Sequence, residues 1–185
     1  MILPIYGYGH PVLKKVGEEI TPDYPELETL LQNMWDTMYQ AEGVGLAAPQ
    51  IGRAIRLFLV DTKQTREEGK EEEGIKKVFI NAQILDETGK SWAYEEGCLS
   101  IPHVRGDVDR QAKITIRYQD ENFETYEETY EGINARVIQH EYDHIEGVLF
   151  TELLKPVKRQ LVRRELEKIR KGAISVSYKM KFIGK

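Results

Sequence analysis

His140-Glu141-Tyr142-Asp143-His144 places two histidines four residues apart. On a helix that interval puts both imidazoles on one face, with Cβ atoms ~5–6 Å apart. Two ring nitrogens then reach one metal ion, and Glu141 between them reaches a water on the same ion. Shuffling this composition would produce H-E-x-x-H in roughly one chain in a hundred. The motif therefore needs a third ligand, a substrate groove and a means of stabilising charge from the rest of the chain.

Around the motif, Ala135, Val137, Ile138 and Tyr142 make the segment apolar over much of its circumference. That pattern predicts a helix buried in the middle of the domain, with Asn134 as its cap and Gly147 as its stop. Two histidines and a glutamate on such a helix are costly unless they are paired or bind a metal. A catalytic metal commonly keeps three protein ligands and one open position. Candidates for the third ligand are Cys98, His10, His103 and several carboxylates. Cys98 is favoured, in a Gly-Cys-Leu-Ser context where Gly97 permits close backbone approach.

Cys98 is the only cysteine, so no intrachain disulfide forms, which suits a reducing cytosol. The 185 residues fit one domain, 1–185, with 41% apolar and 31% charged side chains, the balance of a soluble protein. A net charge of −5 gives no basic surface for nucleic acid. No apolar run approaches the ~18 residues that cross a bilayer, and Met1-Ile2-Leu3-Pro4-Ile5 lacks the form of a secretory signal. The expectation is a cytoplasmic protein with no membrane contact.

Thr21-Pro22 offers a cap and a proline at the first helical position. Leu27, Leu30, Leu31, Met34 and Met38 follow at steps of three and four, one apolar helical face. Next comes Gly43-Val44-Gly45-Leu46-Ala47-Ala48-Pro49-Gln50, a small-residue stretch without the pattern of a phosphate or dinucleotide loop. Its Gln50 amide both donates and accepts hydrogen bonds. Residues 56–60 and 77–81 read as strands, joined by a solvated loop at 63–74 with five Glu and no apolar side chain. A hairpin is predicted over 113–130, a charged helix from Pro156 to about Lys171, and a final strand within 174–183. The fold class is α+β: mainly antiparallel sheets around a central metal-binding helix, with an N-terminal amphipathic helix and a C-terminal helix.

Three segments together resemble the signature motifs of the peptide deformylase family. They are Gly43 to Gln50, Glu96-Gly97-Cys98-Leu99-Ser100, and Gln139-His140-Glu141-Tyr142-Asp143-His144. The resemblance covers about residues 1–150. It implies removal of the formyl group from the N-terminal formyl-methionine of nascent polypeptides, met at the ribosome. It also implies one divalent metal, Fe²⁺ physiologically, with Zn²⁺, Ni²⁺ or Co²⁺ as replacements. Cys98, His140 and His144 match the metal ligands and Glu141 the general acid/base. Gln50 and the backbone N–H of Leu99 match the oxyanion stabilisers. Val44, Gly45, Gly97, Ile133 and Val137 are expected to bind the substrate chain and its methionine, with Arg105 near the entrance. Glu96 with Arg110 resembles a structural ion pair, and Arg136 stands where some members carry an apolar residue. The rival readings are an internal metalloprotease, with Glu146 or Glu152 as third ligand, and a closed structural metal module.

Overall fold

The computed structural model describes all 185 residues. Its strands are β1 (Ile5–Tyr6), β2 (Gly45–Ala47), β3 (Leu57–Asp61), β4 (Lys76–Cys98), β5 (Ile101–Gln119), β6 (Thr125–Glu131) and β7 (Met180–Lys181). The helices are α1 (Leu27–Gln40), α2 (Gly132–Ile145) and α3 (Pro156–Arg170). Strands β2 to β6 form one antiparallel sheet in sequence order, and β1 pairs with β7 in parallel. This is the α+β architecture expected from the sequence.

Alternation along β3 decides where the helices sit. Leu57 and Leu59 join Leu30, Leu31, Met34 and Met38 of α1 in one core cluster. Phe58 and Val60 point the other way, to Ala135, Ile138 and Ile145 of α2. Successive side chains of a strand face opposite sides, so a strand covered on both reads as five apolar or buried residues in a row. A third cluster, including Ile101, Val104, Leu149, Phe150, Val162 and Ile169, packs α3 against the start of β5. Between them, α2 crosses the sheet and carries the histidines inside the protein.

Three local expectations fail. Helix α1 starts at Leu27 and not at Thr21-Pro22. Pro25 biases Tyr24 away from the helical region, and Glu26 sits at φ 55 immediately before the helix. Asn134 lies inside α2, whose preceding residue is Glu131. Its amide instead donates to the Glu73 carbonyl at 3.0 Å and accepts from the Thr62 hydroxyl at 2.5 Å. The final strand shrinks to Met180–Lys181, because only those residues find a partner in β1. Gly147 does end α2, at φ 73, with Val148 N–H donating back to the Asp143 carbonyl.

Candidate metal centre

The hairpin of β4 and β5 closes through Leu99-Ser100, with Cys98 paired to Ile101. Cys98 thereby stands at the hairpin end, facing α2. Its Sγ lies 3.4 Å from His144 Nε2, and the ligand atoms of Cys98, His140 and His144 all lie within 4.8 Å of one another. Neither His10 nor His103 belongs to this cluster. His10 packs on Tyr6, and His103 is exposed. Glu146 pairs with Arg56 and Glu152 with Lys14, so neither carboxylate of the protease reading reaches the histidines.

One thiol and two imidazoles are a donor set for Zn²⁺, Fe²⁺, Ni²⁺ or Co²⁺. The surroundings fit a cation. His140 Nδ1 lies 2.9 Å from Glu96 Oε1. Glu96 is buried, which opposes ionisation, yet bonds from His140 and Arg110 hold its carboxyl well below the usual range. It is therefore the acceptor, Nδ1 carries the proton, and Nε2 is left bare for a metal. Burial also opposes a proton on His140, but its contacts with Cys98 and Glu96 raise it well above the ordinary histidine value. His144, 1% exposed, is pushed well below by burial and by the charges of His140 and Arg110.

Arg110 clamps Glu96 with two bonds at 2.7 and 3.0 Å and reaches Asp143 at 2.8 Å. Arg136 adds a bond to Glu96 at 2.8 Å and donates to the carbonyls of Val108 and Trp92. Its guanidinium lies 4.6 Å from the centre of the Trp92 ring. Glu141 is 5% exposed with Oε2 unpartnered, and burial pushes its carboxyl up to about 7. Gln50 is fixed at both ends of its amide. Oε1 accepts from Ala47 N–H at 2.9 Å, and Nε2 points to Cys98 Sγ at 3.5 Å and Ser100 Oγ at 3.2 Å.

A cavity of about 710 Å³ opens over these groups. Val44, Gly45, Gln50, Gly97, Cys98, Leu99, Arg105, Ile133, Val137, His140 and Glu141 all line it. His144 is the one sequence-predicted site residue set behind the wall, against the Cys98 sulfur.

A model of the family described as Polypeptide deformylase matches residues 2–160. The chain belongs to the polypeptide deformylase family. A peptide deformylase of Christiangramia forsetii is 56% identical over 98% of this chain and 96% of its own length. That of Flavobacterium psychrophilum is 54% identical over 100% and 99%. The crystal structure of a peptide deformylase from Legionella pneumophila superposes with a TM-score of 0.80 at 36% identity, covering 95% of this chain and 100% of that one. For the Thermotoga maritima enzyme the values are 0.74, 36%, 84% and 99%. As a polypeptide deformylase with a Cys/His/His cluster, the chain is a metal-dependent hydrolase that removes the formyl group of N-formyl-methionyl chains.

Several residues of this deformylase site carry no role that the sequence assigned. Ser100 is fully buried and accepts from Gln50. Tyr178, from the C-terminal tail, donates to the Leu99 carbonyl at 2.7 Å and lines the cavity. Thr65 and Arg66, from the acidic 63–74 loop, line it as well. Asp143 lies within the histidine motif, and its pairing with Arg110 was readable only as an acid on the metal helix.

Proposed function

We propose that Cys98, His140 and His144 hold one divalent metal, Fe²⁺ in the cell, with Zn²⁺, Ni²⁺ or Co²⁺ as replacements. The observation that carries this reading is the convergence of a thiol and two imidazole nitrogens at the wall of the cavity. When bound, the ion supplies Lewis acidity and lowers the pKa of a water from 15.7 toward ~7.

The remaining roles belong to the chain's own residues. Glu141 takes the proton of the attacking water and passes it to the leaving amine, a role its burial and its carboxyl near 7 support. The Gln50 amide and the Leu99 N–H donate to the oxyanion that forms on the formyl carbon. Gln50 is suited to this because its carbonyl end is tied to Ala47, which leaves the NH₂ facing the site. The substrate backbone adds a strand beside Val44 and Gly45, since β2 is the sheet's edge strand. Its methionine enters the pocket formed by Val44, Ile133 and Val137 beside Gly97, and Arg105 stands at the entrance.

Residues 1–185 act as one unit in this reading, supported by the pairing of β1 with β7 at the two ends. The enzyme works in the cytoplasm on chains emerging from the ribosome. A thiolate ligand favours a reducing compartment, and the net charge of −5 accords with no direct contact with nucleic acid.

The test is formate release from formyl-Met-Ala-Ser by protein prepared without oxygen, with metal analysis of the same sample. One metal per chain is expected, with higher turnover for Fe²⁺ than for Zn²⁺. Cys98→Ser should lower metal content and rate together. Unchanged content and rate would remove Cys98 from the ligand set.

A further inference from the structure

Three arginines line the catalytic cavity, and they differ in what neutralises them. Arg105 pairs with Glu95 at 2.9 Å, and Arg136 with Glu96 at 2.8 Å. Arg66 has no carboxylate within ion-pair distance, although the loop that carries it is rich in glutamate. Its guanidinium makes only two bonds, both 3.4 Å long, from Nη2 to the Glu73 carbonyl and to Asn134 Oδ1. Its Nε is buried and unpartnered. A guanidinium offers five N–H donors, so most of the capacity of Arg66 is unspent on the protein.

The loop does not hang free over the cavity. Gln64 donates to the Gly43 carbonyl at 2.9 Å, just before β2. Asn134, next to Ile133 on α2, donates to the Glu73 carbonyl and accepts from Thr62. These contacts fix Arg66 between the edge strand and the start of α2. A peptide laid along β2 with its formyl group at Glu141 and its methionine at Ile133 and Val137 would carry its following residues toward Gly43 and Arg66.

We propose that Arg66 is a specificity-determining residue, which draws peptides with an acidic side chain at the second position and disfavours basic ones there. This rests on the substrate lying along β2. The charge of Arg66 is unpaired in the free enzyme, so an incoming carboxylate has no internal partner to displace. The interaction is made at the rim and away from the reacting carbon. It therefore acts on KM and kcat/KM more than on kcat.

The test measures formate release from formyl-Met-Ala-Ser, formyl-Met-Glu-Ser and formyl-Met-Lys-Ser with the metal-loaded enzyme. A partly exposed ion pair gives an acidic-to-basic ratio of kcat/KM of roughly fivefold at low salt, flattened at 0.5 M salt. Arg66→Gln should bring the ratio close to one, and Arg66→Glu should invert it. Glu72→Gln, on the same loop but away from the cavity, should leave it unchanged. The ratio is internal to each protein, so any loss of folded fraction cancels. A ratio unaltered in Arg66→Gln, or no preference in the unmodified enzyme, would overturn the proposal while leaving the deformylase reading intact. Failure to release formate from all three peptides would overturn both.

Discussion

Gly45 and Glu141 are in such close contact that a Cβ at position 45 would lie 2.5 Å from Glu141 Oε1 and 2.7 Å from its Cδ and Cγ. The glycine of the edge strand therefore packs directly on Glu141, the acid/base proposed above. Gly45→Ala must push the carboxylate aside, and a displacement near 1 Å at a catalytic group costs about 10²-fold. The expected result is a fall of that order in kcat, with metal content and circular dichroism unchanged. A near-normal rate would show that Glu141 has room to move without consequence.

Glu96 holds two buried arginines and one metal-site histidine at once. Glu96→Ala leaves Arg136 without any carboxylate and Arg110 with Asp143 alone. Breaking a buried pair from one side typically costs ~3–5 kcal/mol. Urea unfolding of the variant should show a loss in that range. Metal affinity should fall ~10–100-fold, because the Nδ1 partner of His140 is gone. A loss under about 1 kcal/mol would mean that solvent already screens the network.

A pH effect is expected at Glu128 on β6, which is not part of the metal cluster. Glu128 accepts hydrogen bonds from Lys77, Tyr118 and Tyr130. Desolvation works against its ionisation, but these bonds prevail and lower its carboxyl below the ordinary value. The unfolded chain then binds this proton more readily than the folded one. The stabilisation is complete above the unfolded value of about 4.3 and is lost as pH falls through the lower folded value. Glu128→Gln should cost about 1 kcal/mol at pH 7, with the gap from the unmodified protein closing as the pH drops below about 4. Thermal melts across pH 3 to 7 measure it, and a gap independent of pH would contradict the assignment.

Legibility in the sequence followed periodicity and contiguity. The apolar steps of α1 and the apolar girth of α2 are local patterns, and both helices stand where those patterns placed their cores. The start of α1 was misplaced because Thr21-Pro22 is a good cap in isolation, while Pro25 and Glu26 interrupt the helix behind it. Asn134 also looks like a cap until the 62–74 loop folds over and takes its amide. Strand β4 runs unbroken to Cys98, whereas the sequence marks only its first residues and the strand-like stretch before Cys98. Residues 85–91 are exposed, so no alternation of apolar and polar side chains marks them. Most of the cavity residues predicted from the sequence lie in the three contiguous motifs, whereas Arg105, Ile133 and Val137 came only from the family resemblance. Tyr178 and Arg66 reach the site through tertiary contacts, and nothing in their neighbours announces it.

The central claim is that Glu141 moves the proton for a metal held by Cys98, His140 and His144. Its most direct test compares formate release from formyl-Met-Ala-Ser by the unmodified enzyme and by Glu141→Ala, with metal content measured in each. The account predicts one metal per chain in both proteins and a loss of ~10²–10⁴ in kcat for the variant. A Glu141→Ala protein that keeps its metal and turns over at a near-normal rate would contradict it.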